Sequence, residues 1–174
     1  MLNGNNVVDT IMSNSGFFNS LNEIDIRCEQ TTVGDRFVYE CMQDNDYSLG
    51  CEQSGHIIIK KYATTGDGIL TAIMLTEEIC DSKLKLSELA EPVKSYPQYT
   101  KNIRVKDKHA VLLDKKVLKA REEAEKIINK KVRVLLRQSG TEPVIRVMVE
   151  SETESLCIEL AEKIADVIKS GYSK

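Results

Sequence analysis

Arg137-Gln138-Ser139-Gly140-Thr141-Glu142-Pro143, with Arg146 just beyond it, is the stretch that decides how the second half of the chain is read. Before it, Val132, Val134 and Leu136 alternate with Arg133, Leu135 and Arg137; after it, Ile145, Val147 and Val149 alternate with Val144, Arg146 and Met148. Period-two alternation on both sides of a Ser-Gly-Thr turn predicts a β-hairpin. Consecutive backbone N–H groups in such a turn can converge into a concave anion nest, and Gly140 permits the positive φ that nests often need. Two guanidiniums add planar, charge-assisted hydrogen bonds to an oxyanion such as phosphate. Arg146 lies roughly 10 Å along the return strand at about 3.3 Å per residue, so its side chain must lean back to reach the turn. On period and composition alone, an ordinary hairpin with surface arginines accounts for the stretch equally well.

The rest of the chain limits what such a turn could serve. With 174 residues there is material for one good core or two small ones. The 24 basic and 27 acidic residues give a net charge of −3, so no global basic field recruits nucleic acid and any anion site must be local. Five scattered cysteines (Cys28, Cys41, Cys51, Cys80, Cys157), no CxxC pair and two histidines argue for free thiols in a reducing cytoplasm rather than disulfides or a zinc site. No apolar run approaches the roughly 20 residues of a membrane span, and Met1-Leu2-Asn3-Gly4-Asn5-Asn6 lacks the charged and apolar regions of a signal peptide. No membrane and no nucleic-acid partner is expected.

The first half alternates strand-like and helix-like segments, which predicts a layered α/β unit. Strands are expected at Val7–Met12 and Ile26–Val33, and helices at Gly16–Glu23 and Asp35–Gln43, the latter with Phe37, Val38, Cys41 and Met42 inward. Asp44-Asn45-Asp46 reads as a turn before a strand near Tyr47. Gly55–Tyr62 reads as a further strand, with Ile57, Ile58 and Ile59 too continuous to face water on both sides. Asp67 is the natural N-cap of a helix from Ile69 to about Cys80, and a short helix near Ser87–Glu91 ends at Pro92. The texture changes around Lys94-Ser95-Tyr96-Pro97, which sets a boundary between residues 1–95 and 96–174. Beyond it come a strand (Gln98–Val105), a helix (Leu112–Asn129), the hairpin, and a helix (Thr153–Lys169). In that last helix Leu156, Leu160, Ile164 and Ile168 form a stripe, Ser151-x-x-Glu154 offers a capping box, and Gly171 offers a stop. An antiparallel sheet with two helices on one face would bury the stripe.

A second chemical feature is Gly50-Cys51-Glu52-Gln53-Ser54-Gly55-His56. A carboxylate, a hydroxyl and an imidazole between glycines can read vicinal hydroxyl groups, although a lone histidine at a strand start is more often structural. Taken with Gly34-Asp35-Arg36, Thr64-Thr65-Gly66-Asp67-Gly68 and Arg137 to Arg146, in this order, it closely resembles the C-terminal half of the bacterial phosphoglucosamine mutase family, within the α-D-phosphohexomutase superfamily. The resemblance covers almost the whole chain.

The resemblance implies a partial layered α/β third domain followed by a small fourth domain with an antiparallel sheet and two helices on one face. It implies an isomerase of amino-sugar metabolism, upstream of UDP-N-acetylglucosamine, that interconverts glucosamine 6-phosphate and glucosamine 1-phosphate through a bisphosphate. Arg137, Ser139, Gly140, Thr141 and Arg146 would bind the non-reacting phosphate. Glu52 and Ser54 would hold sugar hydroxyls, His56 would sit in the cleft near the transferring group with a possible proton-transfer role, and Gly34, Asp35 and Arg36 would line it. Magnesium is implied for the full-length enzyme, with none bound by this chain. The partners implied are the hexosamine phosphate and the N-terminal domains of the same enzyme. Neither the Ser-Ala-Ser-His-Asn-Pro loop that carries the family's phosphoserine nor its Asp-Gly-Asp-x-Asp-Arg metal loop occurs here, so this chain is expected to lack mutase activity. Cys51 stands where the family usually has glycine. The third domain is expected to lack its leading helix, leaving an apolar face uncovered near Val7–Met12 or Ile57–Ile59. A phosphomannomutase or phosphoglucomutase fragment, and a non-catalytic sugar-phosphate binding module, are the alternative readings.

Overall fold

The computed structural model describes residues 2–128 and 132–172, and the chain divides between Lys94 and Ser95 into two units, each with its own sheet. The first sheet runs β2-β1-β3-β4, from β1 (Asn6–Thr10), β2 (Arg27–Thr31), β3 (Leu49–Cys51) and β4 (Ile57–Ile59). β1 is parallel to both neighbours, with Val8 opposite Glu29 on one side and Gly50 on the other, while β4 returns antiparallel to β3. The parallel pairs require crossovers, and helices α1 (Ser15–Glu23) and α2 (Asp35–Asp44) supply them. Asn14 starts α1 by accepting from Gly16 N–H at 3.0 Å. Val38 and Met42, one turn apart on α2, are fully buried against Val8 and Ile58. Gly50 makes that approach possible, since a Cβ there would lie 2.4 Å from Met42 Sδ and 2.5 Å from Val38. Phe37, expected inward, is 46% exposed because the buried face of α2 is only the Val38–Met42 edge.

Two other expectations in this unit need correction. The strand read as Gly55–Tyr62 is confined to Ile57–Ile59, because Tyr62 and Ala63 N–H fold back onto Ile59 O at 2.9 and 3.1 Å. The uncovered apolar surface is not at β1 or β4, where Val7, Val8 and Ile58 are buried. It lies on helix α3 (Gly68–Ser82), which Asp67 caps through Ile69 and Leu70 N–H and which buries no residue, leaving Ile69 78% and Ile73 54% exposed. A short helix α4 (Leu86–Ala90) follows.

The second sheet is antiparallel, β5-β7-β6, from β5 (Gln98–Arg104), β6 (Val134–Gln138) and β7 (Val144–Glu150). Ile145, Val147 and Val149 of the central strand share a core with Val117 and Ala124 of α6 (Lys115–Ile127) and with the stripe of α7 (Glu154–Tyr172), where Leu160, Ile164 and Ile168 are buried. The single helix expected over Leu112–Asn129 is two: α5 (Lys108–Leu113) ends at Asp114 and α6 begins after it, while Asn129 lies outside the described residues. Asp114 is extended (ψ 124°), accepts from Lys116 N–H at 2.6 Å with one oxygen, and accepts from Tyr172 Oη at 2.6 Å with the other. An aspartate that caps one helix cannot also continue the preceding one. Gly171 does not stop α7, because Tyr172 is held by that bond and by Lys106 N–H, which donates to its carbonyl at 3.3 Å. Nor does Ser151 form the expected capping box: its hydroxyl accepts from Thr153 N–H and donates to Thr153 O, and the helix starts at Glu154.

Glu150 ends β7 fully buried, 3.3 Å from Arg133 Nε and accepting from Gln98 Nε2 at 3.0 Å. Breaking a buried pair leaves an uncompensated charge, so Glu150→Ala is expected to destabilise this unit by about 3–5 kcal/mol in urea unfolding. Glu159→Ala, which removes an exposed pair with Lys163, should cost less than about 1 kcal/mol. Equal effects of the two substitutions would show that burial does not set the difference.

Candidate functional site

The register of β6 against β7 places Arg137 directly opposite Arg146. Directly paired residues share a face, with Cβ atoms about 4.5–5.5 Å apart, and like charges there are unfavourable. Burial, then the charge of Arg146, lowers the pKa of the Arg137 guanidinium. Arg146 finds only a long ion pair, Nη2 to Glu142 Oε2 at 3.9 Å, and its buried Nε has no partner among the described residues. Arg146 thus stands across from Arg137 while its Nη2 is directed towards Glu142 of the turn. Two adjacent guanidiniums with an unused donor form a site that an oxyanion would neutralise.

The turn between the strands closes on itself. Ser139 N–H donates to Val144 O at 2.9 Å, Val144 N–H to Glu142 O at 2.8 Å, and Glu142 N–H to Ser139 Oγ at 3.3 Å. Ser139 is thereby buried, while Gly140 and Thr141 are exposed. Among the described residues the amide N–H groups of Gly140 and Thr141 have no acceptor. Gly140 does not use the positive φ expected of it; a Cβ at that position would meet nothing within 4 Å, so the residue leaves open space beside the free amides. The carbonyls of Ser139 and Glu142 accept from Lys108 Nζ at 2.7 and 3.2 Å, a residue that sequence reasoning missed because it is about 30 positions away in the chain.

The first unit offers a different surface. Its strand order puts β2 and β3 on opposite sides of β1, so the carboxyl ends of β1 and β3 flank the point where the crossovers reverse direction, the usual crevice of an open α/β sheet. A hollow of about 360 Å³ lies there, lined by Thr10, Met12, Val33, Glu52, Gln53 and Ser54. Glu52 organises it: Oε1 accepts from Gly34 N–H at 2.9 Å, while Oε2 lies 3.4 Å from Ser54 Oγ and 3.3 Å from His56 Nδ1. Ser54 Oγ and His56 Nδ1 are themselves 3.2 Å apart. Gly55 turns this loop with φ +96°, and Gly66 packs against the His56 ring. Glu52, Ser54 and His56 are thus brought together, with Gly34 bonded to the same carboxylate. Asp35 begins α2, and Arg36 is turned to solvent in an i,i+4 pair with Glu40. Thr10, Met12 and Val33 were given no role from the sequence; only the parallel β1–β3 pairing brings residues 10–12 to this loop.

Beneath the crevice lies a buried carboxyl, Asp9, 2% exposed. It accepts from Thr10 N–H at 2.6 Å and is hydrogen-bonded to Ser13 and Cys51. Burial pushes its pKa above the usual carboxylate range and the Glu52 charge adds to the rise, while these hydrogen bonds oppose it. Burial and the Asp9 charge likewise push up the Cys51 thiol, and raise the Cys28 thiol to about 12. Cys51 is therefore held as a neutral thiol, hydrogen-bonded to Asp9. The larger hollow, about 580 Å³ along Ile69, Ala72, Ile73 and Thr76, is the uncovered side of α3 and has no basic lining residue. Among the described residues no three His, Cys, Asp or Glu side chains are placed to hold a metal ion, and no helix is long and apolar enough to cross a membrane.

The chain thus has an α/β unit with a crevice at the carboxyl ends of its strands and a small antiparallel unit with an arginine-flanked turn. Residues 1–96 match the family model for the phosphoglucomutase/phosphomannomutase alpha/beta/alpha domain III, and residues 101–167 match the model for the C-terminal domain; the chain belongs to the phosphoglucomutase/phosphomannomutase family. It is 50% identical over 171 residues to phosphoglucosamine mutase of Lachnospira eligens and 48% identical over 170 residues to that of Halalkalibacterium halodurans, covering 98% of this chain in each case. It spans 38% of the length of either relative. A crystal structure of Aspergillus fumigatus N-acetylphosphoglucosamine mutase, in complex with GlcNAc-6P and magnesium, superposes with a TM-score of 0.79 at 16% identity, over 95% of this chain and 38% of that one. That likeness establishes the fold.

The Asp9 site has a consequence for pH. Its neutral form is favoured on folding, so its contribution to stability is full below the ordinary value near 3.8 and is lost as pH rises through the raised one. Asp9→Asn keeps an acceptor for Thr10 and removes that loss. Its urea midpoint is expected to gain on the parent's as pH rises from about 4 to neutrality; a constant difference would mean that Asp9 is not desolvated.

Proposed function

We propose that this chain is the carboxyl-terminal part of a phosphoglucosamine mutase, an isomerase that interconverts glucosamine 6-phosphate and glucosamine 1-phosphate through a bisphosphate. The observation that carries the phosphate half of this reading is the Arg137–Arg146 pair beside the free Gly140 and Thr141 amides. These groups would hold the phosphate that is not reacting. Ser139 serves by closing the turn rather than by reaching out. Glu52 would accept hydrogen bonds from sugar hydroxyls, with Ser54 and His56 beside it, and His56, hydrogen-bonded to both, is placed to exchange a proton there. The hollow is lined by one carboxylate and by no lysine or arginine, which suits a protonated amino sugar better than a neutral one. The 48–50% identity to phosphoglucosamine mutases supports the same choice.

The reaction explains why binding is divided this way. A phosphoserine in another domain passes its phosphoryl group to the free sugar hydroxyl, the bisphosphate turns over, and the second phosphoryl group returns to the serine. Phosphoryl transfer depends on positioning and charge stabilisation, and a tightly held remote phosphate supplies binding energy for alignment in either orientation. Magnesium and the nucleophile would belong to the amino-terminal domains, the partners of this chain. Its five unbridged cysteines suit a reducing cytoplasm.

In a residue-resolved amide titration, glucosamine 6-phosphate is expected to shift both Ser139–Glu142 and Glu52–His56, and inorganic phosphate only the former. Arg137→Ala should weaken phosphate binding by about 1.5–3 kcal/mol, the scale of a hydrogen bond to a charged group; unchanged affinity would move the site elsewhere. The chain alone, supplied with magnesium and a hexose bisphosphate, should not convert glucosamine 6-phosphate, and measurable turnover would refute this division of labour.

A further inference from the structure

We infer that Lys108 is a positioning residue that sets the Ser139–Glu142 turn for its anion, a role that rests on the phosphate reading above. Lys108 is the first residue of α5, placed by the Asp107 cap, whose Oδ1 accepts from His109 and Ala110 N–H at 2.8 and 3.0 Å. From there its ammonium reaches Ser139 O at 2.7 Å and Glu142 O at 3.2 Å, the carbonyls at the two ends of the turn. The next carbonyl, Pro143 O, accepts from Val105 N–H at 3.0 Å. Three carbonyls of the turn are thus engaged by one short stretch, Val105 to Lys108, outside the hairpin. Carbonyl oxygens carry partial negative charge, and a turn presented to an anion must keep them away from it. Ser139 O shares its peptide plane with Gly140 N–H, so its bond to Lys108 holds that amide turned the other way, while the bond to Glu142 O fixes the far end of the turn. The lysine also places a positive charge at the turn, in addition to those of Arg137 and Arg146. Its charge acts through the field and through the carbonyls, without touching the ligand.

A residue that merely closed the fold would be read in global stability. Lys108 is half-exposed on a six-residue helix, so Lys108→Met, which keeps the aliphatic stem, should leave the thermal midpoint of the whole chain nearly unchanged. Without any ligand, the heteronuclear NOE of the Gly140 and Thr141 amides should fall in K108M. Its dissociation constant for inorganic phosphate should rise about tenfold, because the turn loses a nearby positive charge and the fixed orientation of its amides. Lys108→Arg, which restores charge and donors, should recover most of both effects. A K108M turn as rigid as the parent's, with phosphate affinity unaltered, would overturn the inference. A parent chain that binds no phosphate, but whose turn loosens in K108M and tightens in K108R, would support the positioning role and overturn the phosphate reading instead.

Discussion

Because β7 is paired on both edges, to β5 through Asn102 opposite Arg146 and to β6 through Arg137 opposite Arg146, its register settles at once which side chains form the core and which form the site. Ile145, Val147 and Val149 meet α6 and α7 on one face, and a slip of one residue would exchange them for Val144, Arg146 and Met148. The hydrophobic burial of three β-branched side chains thus holds two guanidiniums side by side against their mutual repulsion. Neither arginine could be placed there by its own interactions, since Arg146 retains an unpartnered buried Nε. The core supplies the free energy, and the site retains the unmet electrostatic demand.

A comparable economy governs the first unit. α2 can lie directly on β3 only because Gly50 has no side chain to separate them. That packing seats β3 beside β1, and so brings Glu52 at the end of one strand next to Thr10 and Met12 at the end of the other. Glu52 then joins the crevice to the start of α2 through Gly34 N–H. Its carboxylate is consequently oriented before any ligand arrives, with its remaining oxygen directed at Ser54 and His56.

Much of the fold was legible because local chemistry and tertiary demand agree. Asp67 caps the helix its spacing announced, the apolar stripe of α7 is the buried stripe, and the alternation around Gly140 is the hairpin. Errors arose where a distant group competed with the local signal. Tyr172 and its bond to Asp114 join positions 58 residues apart; Asp114 splits a helix that periodicity runs together, and Tyr172 carries α7 past Gly171. Phe37 faces outward because α2 buries only its Val38–Met42 edge. The residues of the two loops could be picked out as chemistry-bearing types near glycines, but Met12, Val33, Asp9 and Lys108 carry no such signature.

The sequence by itself determined the two-unit order, the strand and helix periods, and the presence of an arginine-flanked Ser-Gly-Thr turn and a Glu-Gln-Ser-Gly-His loop, since these follow from side-chain alternation and backbone preferences over a few residues. Only the tertiary structure decided that Arg137 and Arg146 stand opposite each other, that Asp9 lies buried against Cys51, and that Lys108 spans the Ser139–Glu142 turn. Those relations depend on register and on contacts between residues far apart in the chain. Pairing and burial of the whole unit impose them, and no local pattern encodes the distance between two side chains that meet only after the core has closed.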